Sequence, residues 1–243
     1  LTAPGGTGAA PRARRCVAMS LPADLVAAEA ELLTALESAL ASNAKGRWTL
    51  DLRFEGLRLA PVALRLQRKL DQLERRCRLL FADAGATALA KRDAPDQADA
   101  ITSVSDCYRG ELPAESTVLV CVTPGPPDYD EVEILCDKFA GPVVLLNGRL
   151  EDAAVGIGSV ARERRRGFMA QWQSAYTLQP LNAAALRHAH PSDWQIYRLD
   201  PDGYRLAGTQ EAKPAPEELD ELLSGAATAG LRSVDRFMRE LSG

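Results

Sequence analysis

The sequence predicts an α/β domain with a doubly wound, mostly parallel sheet that C-terminal antiparallel strands extend. Residues 118–122 and 143–146 are continuous apolar runs without polar alternation, which is typical of parallel strands covered on both faces. Segments with helical spacing separate these runs, and such alternation predicts a parallel sheet. Beyond Trp172 the pattern changes to short strands joined by turns such as Asp200–Gly203, which predicts the antiparallel extension.

The individual elements follow from hydrophobic spacing and from proline positions. Apolar residues recur at helical spacing after Pro22 and after Pro61, whereas residues 48–54 alternate between apolar and polar, as in a half-buried strand. The predicted helices cover 22–42, the stretch after Pro61, a short segment ending near Asp93, the stretch after the proline turn at 123–127, Ser159 to Trp172, and the stretch from Pro216. The predicted strands cover 48–54, 78–81, 101–104, 118–122, 143–146, 176–181, 184–189, 194–199 and 204–208, and residues 106–114 are predicted as a loop.

Polar residues begin where the strand at 143–146 ends, and this turn is the first candidate for a binding site. The strand is followed by Asn147, Gly148 and Arg149. Ligands of open α/β sheets gather outside the carboxyl ends of the strands. Asn147 and Arg149 are therefore predicted to lie at a functional edge, although the sequence does not name the ligand.

The strand at 78–81 also ends in a turn with candidate residues. Asp83 and Gly85 lie between this strand and a helix, and backbone N–H groups at such a turn can cradle phosphate. The alternative is that Asp83 only caps the helix. The chain contains neither G-x-x-x-x-G-K-[ST] nor G-x-G-x-x-G, so the two strong nucleotide fingerprints do not apply.

Arg165 is the third candidate, because it shares a helix face with Phe168. A cation on the stripe that contacts the sheet needs a partner or a ligand to offset its desolvation. Arg165 is either a structural arginine, paired with strand-end carbonyls or with a carboxylate of Asp83 or of residues 151 and 152, or a residue that binds an anion or a partner. Arg162 belongs to the same basic cluster. The candidate ligand- or partner-binding residues are thus Asp83, Gly85, Asn147, Arg149, Arg162 and Arg165.

Composition limits the classes of function. With 46% hydrophobic and 26% charged residues, the chain resembles an ordinary globular protein, and its net charge of -4 predicts no nucleic-acid binding. No apolar run approaches the roughly 20 residues of a transmembrane helix, so any membrane association is expected to be peripheral. Five cysteines without a C-x-x-C pair and two histidines predict no metal site and favour a reducing compartment. Cys121 and Cys136 are either redox partners or buried core thiols, and the sequence does not identify a cofactor.

The two ends of the chain are predicted to differ from the domain at 21–223. Residues 1–20 contain three arginines and no acidic residue, which indicates a transit-peptide remnant or a disordered tail. Residues 224–243 are predicted to form a C-terminal helix that packs on the domain or binds a partner.

Several motifs occur together in order along most of residues 21–223. They are Phe81–Ala88 with Lys91–Asp93, Val122–Pro124, Pro142–Asn147, Arg149–Asp152, Gly156–Gly158, Arg162 with Arg165 and Phe168, and Pro191–Trp194. In this set the chain resembles a plant, algal and cyanobacterial domain-of-unknown-function family. That family includes chloroplast proteins of the low-photosystem-II-accumulation type and an extension of a chloroplast adenylate kinase.

The resemblance implies a chloroplast protein, in the stroma or at the stromal face of the thylakoid, with protein partners in photosystem biogenesis. It supplies no catalytic residues, and the sequence offers no nucleophile–base pair of its own, since His188 and His190 lie in or beside a predicted strand. The first hypothesis is therefore a non-catalytic factor for the assembly of photosynthetic complexes. The alternative is a domain, which could be an enzyme, that binds a nucleotide or phosphate metabolite at the carboxyl edge of the sheet.

Overall fold

A nine-stranded sheet organises residues 20–150 and 159–223, the part of the chain that this computed structural model describes; of residues 159–162 and 164 only the backbone is described. The helices are α1 (Leu25–Ser42), α2 (Leu59–Gln72), α3 (Ala84–Asp93), α4 (Val104–Arg109), α5 (Tyr129–Lys138) and α6 (Ser159–Met169). The strands are β1 (Arg47–Leu52), β2 (Cys77–Phe81), β3 (Ile101–Ser103), β4 (Val118–Val122), β5 (Val143–Leu146), β6 (Trp172–Leu181), β7 (Ala184–Ala189), β8 (Trp194–Asp200) and β9 (Gly203–Gln210).

The strand order is β3-β2-β4-β5-β1-β6-β7-β8-β9. All neighbours from β3 to β6 pair in parallel, whereas β6 to β9 form an antiparallel meander. The predicted fold, a mostly parallel sheet that antiparallel strands extend, is therefore confirmed.

Helices cover both faces of the parallel strands. One core contains the apolar residues of α1, α2 and α3 with those of β1, such as Trp48 and Leu50. A second core, on the opposite face, contains those of α4 and α5 with Phe168 of α6. Since α2 follows β1 and α6 follows β5, the chain leaves these two neighbouring strands towards opposite faces, which makes their carboxyl ends a topological switch point.

Two local predictions are wrong. Residues 106–114 were predicted as a loop, but α4 occupies the first part, because the hydroxyl of Ser103 accepts a hydrogen bond from the backbone N–H of Asp106 at 3.0 Å and so caps a helix. Trp172 was predicted to end a helix, but α6 ends at Met169 and Trp172 is the first residue of β6. The spacing of the apolar residues changes at this boundary from that of a helix to that of a strand.

Residues 216–223 are helical, as predicted from Pro216, and Leu219 and Leu222 pack against Leu186 and Trp194 of the antiparallel strands. No helix among the described residues is long and apolar enough to cross a membrane. The predictions for residues 1–19, 151–158 and 224–243, which include the transit peptide, the acidic residues 151 and 152 and the C-terminal helix, lie outside the described residues.

The described cysteines are free and buried. Burial raises the pKa of the Cys121 thiol well above its usual value and that of Cys136 to about 12. Both residues belong to the core between the sheet and α4 to α6. Thiols with raised pKa values are poor nucleophiles at neutral pH, which favours the core-thiol alternative.

Candidate functional site

Asn147 bridges the switch point between β5 and β1. Its backbone, with a φ of 51°, lies in the left-handed region, and its N–H donates to the carbonyl of Leu50 at 2.8 Å. The side-chain Oδ1 accepts from the backbone N–H of Leu52 and Nδ2 donates to the carbonyl of Leu52, each at 2.7 Å. The side-chain amide thus adds one more pair of hydrogen bonds between β5 and β1, in the position where open sheets often bind a ligand.

The other described candidates at the carboxyl edge are spread along it. Asp83 caps α3 by accepting from the backbone N–H of Ala86 at 2.7 Å, and Gly85 is exposed in the first turn of that helix. Both lie at β2, which β4 separates from β5. Arg149 is exposed beside Asn147, and its backbone N–H donates to the carbonyl of Pro124 at 2.8 Å. The edge therefore holds two separate turns rather than one cluster.

Arg165 is half-buried and contacts an aromatic ring. Its guanidinium carbon lies 4.5 Å from the ring centroid of Tyr129, which is 2% exposed. Tyr129 packs edge-to-face on Phe168, with 5.4 Å between the centroids, so the predicted inward face of α6 is confirmed for Arg165 and Phe168. A cation over a buried ring gains a cation–π attraction. The acidic residues 151 and 152 and the side chain of Arg162 lie outside the described residues.

The described residues form a polar cavity elsewhere, on the α5 and α6 face of the sheet. It lies beside α6 above β1 and β6, and its volume is about 250 Å³. We call it the sheet groove. Its lining residues are Thr49, Asp51, Arg53, Leu145, Gly148, Leu150, Met169, Trp172, Ser174, Thr177, Trp194 and Lys213.

The floor of the sheet groove is the polar side of β1. Because side chains alternate along a strand, Leu50 and Leu52 enter the core under α1 and α2, while Asp51 and Arg53 line the groove. Arg53 Nη2 lies 2.8 Å from Asp51 Oδ1 and donates to the carbonyl of Gly148 at 3.0 Å, and Arg53 Nε donates to Asp51 Oδ1 at 3.0 Å. Gly148 connects the groove to the turn predicted from the sequence, whose flanking residues are Asn147 and Arg149.

Two tryptophans form the walls of the sheet groove. Trp172 packs edge-to-face on Phe168, and its indole N–H is buried with no hydrogen-bond acceptor among the described residues. A buried donor without an acceptor costs about 1–3 kcal/mol. The ammonium of Lys213 lies 5.9 Å from the ring centroid of Trp194. The groove thus retains a donor group that the described chain does not satisfy.

His188 supports the second wall from behind. It lies opposite Thr177 in the β6–β7 pairing and stacks on Trp194, with 4.6 Å between ring centroids. Burial lowers the pKa of His188 from 6.5 to about 4, with a smaller contribution from His190. The ring is therefore neutral at neutral pH, and it stacks on Trp194 without adding charge.

Several of the polar side chains that line the groove are already paired. The hydroxyls of Ser174 and Thr177 lie 3.0 Å apart and bond to each other, and the carboxylate of Asp51 is paired with Arg53. No histidine is among the described residues that line the groove. Within the described ranges, no group of three histidine, cysteine or acidic residues could hold a metal ion.

Sequence reasoning missed both the groove and the most buried arginine of the described chain. Arg187 is 2% exposed; its Nε donates to Glu31 of α1 at 3.2 Å, and its Nη1 donates to Gln195 at 2.5 Å. One signal for the groove was present: a strand central to a doubly wound sheet carries Asp51 and Arg53, where both faces are expected to be covered. No pattern in the sequence distinguishes Arg187 from an arginine on the exposed side of a strand.

Two comparisons with known proteins complete the description. No curated protein matches the chain. The profile of one protein family, described as a domain of unknown function (DUF1995), matches residues 22–221 and so spans the whole sheet.

Proposed function

We propose that this chain, which belongs to the family described as a domain of unknown function (DUF1995), is a non-catalytic chloroplast factor. In this proposal it binds a protein partner during the biogenesis of photosynthetic complexes. The motifs that resemble chloroplast members of such a family support the compartment and the process. The sheet groove supports the mode of action.

The observation that carries the proposal is the pair of tryptophans in the groove walls. Trp172 is half-buried, Trp194 is 7% exposed, and both line a cavity open to solvent. Tryptophan is among the residues most enriched where binding energy concentrates in protein interfaces. A partner side chain that enters the groove would be held between these rings and above the polar side of β1.

The chemistry of the groove favours binding over catalysis. A catalytic site needs a nucleophile or a general base with a suitable pKa within reach of the reacting atoms. In the groove, the one described carboxylate, Asp51, is held by Arg53, and the hydroxyls of Ser174 and Thr177 are held by each other. These groups can orient a partner, which is what an assembly factor requires.

Affinity purification of the tagged protein from chloroplasts tests the proposal. Thr49→Phe fills the groove from its floor, and Thr209→Phe is a matched control on the exposed side of β9. The wild type and Thr209→Phe should recover subunits or biogenesis factors of a photosynthetic complex, whereas Thr49→Phe should recover them at background level while melting with a single cooperative transition. Failure of the wild type to recover any such protein would contradict the function, and equal recovery by Thr49→Phe would contradict the site.

A further inference from the structure

We infer that the sheet groove takes a carboxylate side chain from an acidic segment of the partner protein. This inference rests on the proposed function and adds the chemistry of the partner. The described groove residues include two cations, Arg53 and Lys213, and one carboxylate, Asp51. Since Asp51 neutralises only one of the cations, the described lining has an excess of one positive charge, which favours an anionic occupant.

The donors that remain unused point to an oxygen acceptor. Arg53 Nε and Nη2 are held by Asp51 and the carbonyl of Gly148, and no described residue accepts from Nη1. The contacts to Asp51 and Gly148 fix the plane of the guanidinium, so Nη1 is oriented before a ligand arrives. The indole N–H of Trp172 likewise has no acceptor among the described residues. A carboxylate can accept from several such donors at once.

Lys213 places the second cation at the mouth of the groove. Lys213 is exposed, and its ammonium lies against the ring of Trp194, which keeps it at the mouth of the groove. An exposed cation at such a mouth raises the association rate of an acidic segment and makes binding sensitive to salt.

The surroundings favour a carboxylate on a peptide over a phosphate. Phosphate sites are typically formed by backbone N–H groups at the first turn of a helix. The described lining residues lie instead on strands, at Arg53 directly after β1, on the turn at 148–150, on the chain after β9 and at Met169, the last residue of α6. The carboxyl end of a helix carries negative partial charge, which disfavours a dianion. Leu145, Leu150 and Met169 offer apolar contact to the methylene groups of a glutamate side chain.

Calorimetry with capped hexapeptides tests this inference on the full chain at low salt. The probes are hexaglutamate, hexaglutamine, inorganic phosphate and ATP. Hexaglutamate should bind about tenfold or more tightly than hexaglutamine, and binding should weaken as salt is added. Lys213→Glu should weaken hexaglutamate binding about tenfold or more, because it removes one cation and adds an anion. Lys45→Glu, which makes the same change at a site 66% exposed and remote from the groove residues, should leave binding unchanged.

Trp172→Phe separates binding from folding. Phenylalanine keeps the ring but lacks the unpaired N–H, so this variant should bind hexaglutamate several-fold more weakly while melting no lower than the wild type. Unchanged binding by Trp172→Phe or Lys213→Glu would overturn the assignment of the groove.

The remaining outcomes distinguish this inference from the proposed function. Equal binding of hexaglutamate and hexaglutamine, or no binding of either, would overturn the carboxylate preference, even if chloroplast purification still recovered a partner. Tighter binding of phosphate or ATP than of hexaglutamate would overturn it in favour of the nucleotide or phosphate-metabolite alternative. Tight hexaglutamate binding without recovery of any photosynthetic-complex partner would uphold the carboxylate site and reject the proposed function.

Discussion

The two faces of strands β6 and β7 differ in whether their buried polar groups have hydrogen-bond partners. On the α1 face, Arg187 and Tyr176 both contact the carboxylate of Glu31, and Arg187 also contacts Gln195, so donors and acceptors match. On the groove face, the indole N–H of Trp172 has no acceptor within the described chain. The first arrangement stabilises the fold by itself, whereas the second leaves a donor that another molecule can complete. Burial of a polar group alone therefore does not identify a binding site, and in the groove it is the missing partner of the Trp172 N–H that supports one.

Removal of Glu31 should have the largest effect on stability, because it removes the carboxylate that both Arg187 and Tyr176 contact. Glu31→Ala leaves the guanidinium of Arg187, which is 2% exposed, without its counter-charge. We expect the free energy of unfolding to fall by about 3–5 kcal/mol, measured by urea denaturation. Glu115→Ala, which removes one partner of the exposed Lys45–Glu115 pair, is the control and should change it by less than about 1 kcal/mol.

The double variant Glu31→Leu, Arg187→Met removes both charges and should regain most of the lost stability, because well-packed apolar residues can replace a buried ion pair. A double variant as unstable as Glu31→Ala would show that the α1 face depends on hydrogen bonds from these groups and not on charge pairing.

The groove face should respond to acid through His188. Its folded pKa of about 4 lies below its ordinary 6.5, so between these values the unfolded chain binds the proton and the folded chain does not. Stability from this residue is complete above about pH 6.5 and falls as the pH drops towards 4, by about 3 kcal/mol in total. His188→Phe keeps a ring against Trp194, and its unfolding free energy should fall less than that of the wild type over the same range, when both are measured by denaturant titration. Parallel curves for the two proteins would contradict the lowered pKa.

Substitution of Asn147 tests whether the hydrogen bonds at the carboxyl edge stabilise the fold, as those on the α1 face do. Asn147→Ala removes both hydrogen bonds to the backbone of the buried Leu52 and places alanine at a φ of 51°. We expect a loss of about 2–3 kcal/mol in thermal or urea unfolding. Asn147→Gly also lacks these two hydrogen bonds, but glycine adopts this backbone conformation without strain. It should therefore be less destabilising than Asn147→Ala by about 1 kcal/mol. If neither variant loses stability, the amide is free for a ligand as the sequence first suggested.

Arg165 should give the smallest effect. Its guanidinium over Tyr129 is half-buried, so Arg165→Ala should lower the free energy of unfolding by about 1 kcal/mol. Arg166→Ala, on the exposed side of α6, is the control and should change it by less than about 0.5 kcal/mol. A loss several times larger for Arg165→Ala would show that contacts of Arg165 other than that with Tyr129 contribute most of its stabilisation.

Much of the fold could be predicted because the signals are local. The strands at 118–122, 143–146 and 184–189 have the predicted bounds, since each run of strand-forming residues stops at a turn or a proline. The hairpin between β8 and β9 was predicted from Asp200–Gly203, where Gly203 has a positive φ of 116°. Each of these features depends on a few neighbouring residues, so no distant part of the chain can override it.

The groove could not be predicted in the same way, because its residues meet only in three dimensions. Thr49, Ser174 and Trp194 come from three strands, and only the sheet order places those strands side by side or across β7. Which arginine is buried also depends on tertiary contacts. Arg165 has the helical spacing of a core residue, yet Arg187 is the more buried of the two, since α1 packs on β7 and supplies Glu31.

The position of β1 has a consequence for how the chain folds during synthesis. β1 is made early, but its two neighbours in the sheet are β5 and β6, which lie roughly a hundred residues later. Its apolar residues therefore remain without strand partners until most of the domain has left the ribosome, whereas the meander from β6 to β9 forms from contacts close in sequence. Binding of β1 by a chaperone during this interval would protect the one strand that both halves of the sheet need in order to join.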